Sequence, residues 1–278
     1  MPVSYSILVN TCDKFEDCWE PFFKLWSVYW KGCKGKIYLN TEYKDYSHPC
    51  IGITTIQGCR KHNFPKDKRA TWSQCLLWAL DEIDDDIILY MQEDYFLKDY
   101  VKNDIVEQYV KLMHEHPDIQ CIHLTDQAVA TTGEQVFDNL LKVKRHQRYR
   151  VSCQAALWRK DELKLLLRKH ESAWEFEEFG SKRSAILNHS YLAVDSKWVQ
   201  LNVFEIIPYV FTGIIQGRWY EEVVPLFNQH NIHIDFNKRG FVGNAPAKPL
   251  YKHIKYRIVK TFKQIRTYYD LLQLQYDH

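Results

Sequence analysis

Residues 87–94 read Ile87-Ile88-Leu89-Tyr90-Met91-Gln92-Glu93-Asp94, an unbroken apolar run that stops at a polar, acidic end. A run this short with no alternation is the pattern of a strand covered on both faces in the middle of a parallel sheet. The neighbouring segments supply the rest of such a sheet. Ser6-Ile7-Leu8-Val9 ends at Asn10-Thr11-Cys12-Asp13, and Lys36-Ile37-Tyr38-Leu39 ends at Asn40-Thr41-Glu42. Further strands are expected at 53–56 and 120–124. Between them, Trp19, Phe22, Phe23, Trp26 and Trp30 recur at helical spacing, and helices are expected again at 72–80 and 101–116. Strands alternating with helices over the first 125 or so residues predict an α/β fold, a mostly parallel sheet with helices on both faces. Ligands of such sheets bind beyond the carboxyl ends of the strands, where three polar clusters fall: 10–13, 40–42 and 92–94.

The whole chain has 278 residues, 46% hydrophobic, 15% aromatic and 26% charged, enough to bury a large core and inconsistent with disorder as its main state. Lys and Arg total 37 against 35 Asp and Glu, a net charge of +2 that argues against nucleic acid as a partner. Eight cysteines lie between Cys12 and Cys153 with no CxxC pair and no Cys/His ligand run, so the spacing carries no structural zinc signature. The first residues lead straight into a strand without a basic and then apolar leader, so a reducing cytosol and free thiols are expected. The longest apolar stretch, 206–215, is too short to span a bilayer and contains Pro208.

The segment 87–97, ending Gln92-Glu93-Asp94-Tyr95-Phe96-Leu97, resembles the acidic signature strand of GT-A fold glycosyltransferases of the bacterial surface-polysaccharide type. The order of elements from Ser6 to about Asp126 matches that superfamily's nucleotide-sugar half, although the acidic motif lacks the first aspartate of a strict DXD. The resemblance implies a GT-A-like, Rossmann-related sheet and a divalent metal, Mn²⁺ or Mg²⁺, held by Asp94 with help from Glu93 and bridging the donor diphosphate. It also implies that Thr11 and Asp13 line the nucleoside pocket, with Asn40 and Glu42 near base and ribose. Lys68 or Arg69 would then face the diphosphate. Taken without the resemblance, Glu93 and Asp94 could open a loop or cap a helix, and Lys68-Arg69 could be a solvated basic turn.

The second half changes character. A strand is expected at 150–158, a helix at 160–169, short strands at 191–194 and 210–215, and a helix at 223–228. Trp174-Glu175-Phe176-Glu177 resembles the aromatic-acid segment in the acceptor half of inverting GT-A enzymes. Direct displacement at an anomeric carbon needs one carboxylate to take the acceptor's proton. In a helical turn Trp174 and Glu177 share a face, so Glu177 is the expected base, with Glu175 as the alternative and an N-terminal acidic cluster as the plain structural account. Gln216-Gly217-Arg218-Trp219 is similar to the Q-x-x-R-W element of polysaccharide synthases but one residue shorter. It offers Arg218 for a diphosphate and Trp219 for a sugar face. His189, His230 and His233 are possible third metal ligands, but a lone histidine is more often structural or exposed, so none is assigned to the metal.

From Lys248 to Arg266 seven basic residues alternate with Tyr251, Ile254, Ile258, Phe262 and Ile265, against only Asp270 and Asp277 further on. This is the pattern of a basic amphipathic helix, either packed on the protein or lying on an anionic membrane surface through 248–269. The expected organisation is a catalytic domain over 1–245, with a donor half to 126 and an acceptor half from 127, followed by the helix of 246–278. The expected function is transfer of a sugar from a nucleotide-sugar donor to a hydroxyl of a saccharide or lipid-linked acceptor, metal-assisted and inverting, at the cytoplasmic face. A sugar nucleotidyltransferase would carry a glycine-rich loop after the first strand, and Asn10 to Phe15 has none. A non-catalytic carbohydrate-binding or scaffold protein on the same fold is the other rival. A glycoside hydrolase needs two carboxylates but no nucleotide pocket.

Overall fold

The computed structural model describes residues 4–127, 129–244 and 265–276. Its elements follow in the order β1 (Ser6–Asn10), α1 (Glu16–Tyr29), β2 (Lys36–Asn40), β3 (Ile53–Thr55), α2 (Gly58–Lys61), α3 (Trp72–Asp81), β4 (Ile87–Gln92), α4 (Asn103–Glu115) and β5 (Ile119–His123). A hairpin of β6 (Thr131–Phe137) and β7 (Leu140–Val143) comes next, then β8 (Ala156–Arg159), α5 (Lys160–Leu166), α6 (Ala173–Glu175), α7 (Ser181–Leu187) and β9 (Ser190–Val194). A small ribbon of β10 (Ile214–Ile215) and β11 (Arg218–Trp219) precedes α8 (Val223–Gln229).

Nine strands form one sheet in the order β3-β2-β1-β4-β8-β5-β9-β7-β6. β3, β2, β1 and β4 are parallel, and β5 is parallel to β9. β8 is inserted antiparallel between β4 and β5, and β7 runs antiparallel to β9 at the far side. The sheet is therefore mostly parallel, with β8 and β7 as the reversed strands.

Strand pleating sends successive side chains to opposite faces, and the core divides accordingly. Ile7, Val9, Ile87, Leu89 and Met91 face one cluster with Phe22, Phe23 and Trp26 of α1 and Val106, Val110 and Met113 of α4. Leu8, Ile88 and Tyr90 face the other, with Leu76, Ala79 and Leu80 of α3 and Leu163 and Leu166 of α5. A strand sandwiched between two such layers tolerates no charged side chain until it leaves them, which is why polarity begins at Gln92.

Two sequence expectations change. The strand expected at 150–158 is Ala156–Arg159, because the backbone groups of Arg150, Val151 and Cys153 bond to the side chains of His123, Ser181, Glu177 and Tyr95 and not to a ladder, and of 210–215 only Ile214–Ile215 is a strand. The hairpin β6–β7 carries no clear sequence signal, since β6 is mostly solvent-facing and has little apolar alternation. The basic residues Lys248 to Lys263 lie outside the described residues. Residues 265–276 are helical, within the expected helix of 246–278. That helix docks through buried Thr267 and Leu271, with Thr267 hydrogen-bonded to His170 at 3.1 Å and Asp270 paired with Arg168 at 3.4 Å.

Gly213 lies where backbone meets backbone. Its N–H donates to the Asp94 carbonyl at 2.9 Å, and a Cβ there would stand 2.3 Å from the Phe96 ring and 2.8 Å from the Asp94 oxygen. Gly213→Ala should destabilise the fold by about 1–3 kcal/mol, as overpacking does. Urea unfolding followed by fluorescence measures it, and an unchanged midpoint would contradict this packing.

Candidate active site

The polar clusters expected at the strand ends meet on one edge of the sheet. At the end of β1, Asn10 Nδ2 donates to Tyr90 Oη at 3.2 Å, and Asn40 Nδ2 at the end of β2 donates to Asn10 Oδ1 at 2.7 Å. Thr11 Oγ1 accepts the Trp19 indole N–H at 2.9 Å. The Asp13 carboxylate is engaged structurally, accepting the backbone N–H groups of Glu42 and Tyr43 at 2.9 Å and of Lys44 at 3.2 Å. Glu42 returns the bond, its Oε2 accepting the Asp13 N–H at 3.1 Å. Asp13 thus clasps the loop after β2 to the loop after β1 and fixes the shape of that corner.

Glu93 and Asp94 occupy a turn closed by the Tyr95 N–H to Gln92 carbonyl bond, and they are only 7% and 6% exposed. Asp94 Oδ2 accepts the Thr212 hydroxyl and, at 3.1 Å, the Ile214 N–H. Asp94 Oδ1 is buried with no hydrogen-bond partner among the described residues. Burial pushes the Glu93 carboxyl well up, the neighbouring Asp94 charge adds to that, and Arg239 and the Thr11 hydroxyl oppose it. Burial raises Asp94 too, against the bonds from Thr212 and Ile214. Two adjacent buried carboxylates with one unpartnered oxygen fit a divalent cation, which needs hard oxygen ligands. The donor set is short, so most of the coordination sphere would come from water or substrate.

The second half reaches the same edge through β8. Tyr90 pairs with Ala156, so the residues just before β8 arrive where β4 ends. There Tyr95 Oη donates to the Cys153 carbonyl at 2.8 Å, and the Cys153 N–H donates to Glu177 Oε1 at 2.9 Å. Glu177 sits in a π-type turn, Phe176–Gly180, directly after α6. Burial raises its carboxyl, while the Cys153 N–H and the Arg148 charge pull it back. Glu175 is occupied differently. With Ser172 it forms a reciprocal capping box, its Oε2 accepting the Ser172 N–H and hydroxyl at 2.8 Å. Upstream, Arg183 holds Glu171 in a fully buried two-pronged pair at 2.9 and 2.5 Å, which anchors this whole turn.

The remaining expected residues separate. Trp174 is 71% exposed, so its ring is available as a flat apolar face. Trp219 is 0% exposed and packs among Phe96, Phe227 and Phe236, so it is a core residue and not a sugar platform. Arg218 Nη1 leans on the Arg239 carbonyl at 3.3 Å. Lys68 and Arg69 are exposed in the loop between α2 and α3, and the Arg69 charge acts on Glu42 and Cys12.

Arg239 is a residue that the sequence alone does not single out. Its Nε donates to Asp17 Oδ2 and its Nη2 to the Lys14 carbonyl, both at 2.7 Å, and its guanidinium lies 4.4 Å from the Phe15 ring centre. A basic pair, Lys238-Arg239, before Gly240 gives no local signal of this reach across the fold.

No protein-family model and no curated protein matches the chain. Partial fold likenesses exist at low identity. S. aureus TarS 1-349 in complex with UDP-GlcNAc is 12% identical over 69% of this chain and 56% of that chain, with a TM-score of 0.45. The bifunctional IspDF from Campylobacter jejuni is 14% identical over 74% of this chain and 52% of that chain, at 0.40. A CMP:2-keto-3-deoxy-manno-octonic acid synthetase complexed with CTP is 11% identical over 68% and 88%, at 0.34. The chain thus spans little more than half the length of the first two. No residue role passes from them to this one.

The site's raised carboxyls have a consequence for stability. A buried acid whose folded pKa exceeds its unfolded one binds more protons in the native state, so stability grows as pH falls through the folded value. For Glu93, Asp94 and Glu177, all raised by burial, the melting temperature should therefore rise as the pH is lowered towards the ordinary carboxylate range. Glu93→Gln should flatten that rise. A slope unchanged in the variant would show that Glu93 does not titrate there.

Proposed function

We propose that this chain is a GT-A-like glycosyltransferase that moves a sugar from a nucleotide-sugar donor to the hydroxyl of a saccharide or lipid-linked acceptor, with inversion. One observation carries the reading. A buried acid pair from the first half, Glu93 and Asp94, and a separately held carboxylate from the second half, Glu177, meet on the carboxyl edge of one sheet. Hydrolysis or simple sugar binding gives no reason for that division of labour between the two halves.

The corner built by Asn10, Asn40 and the Asp13–Glu42 clasp would receive the nucleoside, with Thr11 beside Glu93. Lys68, Arg69 and Arg218 would meet the diphosphate, whose oxygens suit the planar fork of a guanidinium. Glu93 and Asp94 would hold Mn²⁺ or Mg²⁺, which when bound offsets charge developing on the leaving diphosphate. Glu177, steered by the Cys153 N–H, would take the proton from the acceptor hydroxyl as that oxygen attacks the anomeric carbon. Its raised pKa makes it a better base than an exposed carboxylate. Trp174 would stack on the acceptor sugar and orient it.

Thermal shift with UDP-, GDP-, dTDP- and CMP-sugars, each with and without Mn²⁺, tests the donor half. One nucleotide family should raise the melting temperature, more so with metal. No shift from any donor would favour the non-catalytic binder. Glu177→Gln should lower transfer by about 10²–10⁴-fold while leaving the donor shift intact. Full activity in that variant would remove Glu177 from the mechanism.

No helix among the described residues is long and apolar enough to cross a membrane. The helix of 265–276 nevertheless exposes Ile265, Tyr269, Leu272 and Tyr276 at helical spacing, on the chain's basic C-terminal segment. Its Tyr268 ring meets Phe179 edge-on, at the turn that carries Glu177. This supports docking on an anionic membrane surface close to the acceptor side of the site. Replacing Lys252, Lys255, Arg257 and Lys260 by Gln should weaken binding to phosphatidylserine vesicles by about 1 kcal/mol per charge. Co-sedimentation at low salt checks it, and equal binding by the variant would exclude this contact.

A further inference from the structure

The loop after β2 and helices α2 and α3 bring Glu42, Cys59 and Cys75 together, with a carboxylate oxygen and both Sγ atoms within 4.8 Å of one another. Cys59 and Cys75 are buried, Glu42 is half-buried, and all eight cysteines of the chain are free thiols. Ala70, Tyr43, Phe64 and Trp78 wrap the thiols in a small apolar shell. The three residues are far apart in sequence, so no ligand spacing announces the cluster.

We propose that Glu42, Cys59 and Cys75 form a zinc site, with water or another ligand in the fourth position. Paired thiolates are soft donors that select zinc over magnesium or calcium, and a carboxylate completes a mixed set that zinc accepts. The carboxylate distinguishes this cluster from a pair of thiols serving as small apolar side chains. Glu42 is also oriented from behind, since its Oε2 accepts the Asp13 N–H at 3.1 Å, the kind of outer contact that aims a metal ligand.

The charge balance is workable. Binding releases the two thiol protons to solvent, leaving two thiolates and a carboxylate around Zn²⁺, one negative charge in excess. The Arg69 guanidinium already acts on Glu42 and offsets that excess. The ligands come from the two ends of the segment that carries Lys68 and Arg69, so the metal would tie that loop to the corner of the sheet. The proposal does not depend on what the neighbouring site transfers.

The test uses the full chain, stripped with chelator under reducing conditions and then titrated with Zn²⁺ or Co²⁺. One equivalent of zinc should bind and raise the melting temperature. Co²⁺ should give the near-ultraviolet thiolate charge-transfer band, which carboxylates alone cannot produce. Cys59→Ser and Cys75→Ser should each lose the band and weaken zinc binding by more than the roughly 10–100-fold that losing an orienting partner costs. Cys50→Ser, at an exposed thiol elsewhere, should keep both. Absence of the band in the wild-type chain would overturn the site, as would its survival in the two variants. Recovery of a Cys59–Cys75 disulfide by peptide mass spectrometry, with no zinc bound to the reduced chain, would overturn it in favour of a redox pair.

Discussion

Two carboxylates at the end of a doubly covered strand must be satisfied by something, and the second half of the chain is folded around that demand. Asp94 takes a hydroxyl from Thr212 and a backbone N–H from Ile214, and its own carbonyl takes the Gly213 N–H. Three consecutive residues more than a hundred positions away are thereby fixed to the end of β4. The same segment leads into the β10–β11 ribbon, which buries Trp219 against Phe96 and Phe227. An acid this deep costs stability unless it is bonded, so its partners cannot drift independently of it.

Cations enter this region from several directions. Arg239 comes from the C-terminal side and is held by Asp17, Arg69 comes from the loop before α3, and Arg148 comes from the stretch before β8. Each acts on a different carboxylate: Arg239 on Glu93 and Asp94, Arg69 on Glu42, and Arg148 on Glu177. Burial still prevails and every one of those acids is raised. The edge therefore carries unmet affinity for positive charge at its centre, with guanidinium groups at its rim.

The central strands were legible because burial on both faces leaves no room for ambiguity. Ile87 to Met91 and Ile7 to Val9 could only be interior, and their ends could only be edges. The antiparallel insertion of β8 was not legible, since Ala156-Leu157-Trp158 has the same apolar character whichever way it runs. Trp219 misled for a related reason: a tryptophan after a glycine turn looks alike whether it faces solvent or core. Glu177 was preferred to Glu175 in the sequence only because a helical turn puts it on the face of Trp174. The capping box on Ser172 and the Cys153 N–H add a distinction that no spacing could supply. The Glu42–Cys59–Cys75 cluster lay beyond any spacing rule, because its members meet through the fold and not along the chain.

The insertion of β8 beside β5 has a further effect. Leu124 donates its N–H to the Ala155 carbonyl at 3.1 Å, closing the base of the excursion that carries the hairpin, whose second strand β7 is itself paired with β9 in the sheet. Within it only β6, mostly exposed and paired on one side, and the turn to β7 lie outside the packed layers, so a change of length there costs the strands behind it little entropy. The outer strand of the hairpin is thus the part free to diverge, while β7 and the residues that hold Glu177 stay fixed with the buried acids.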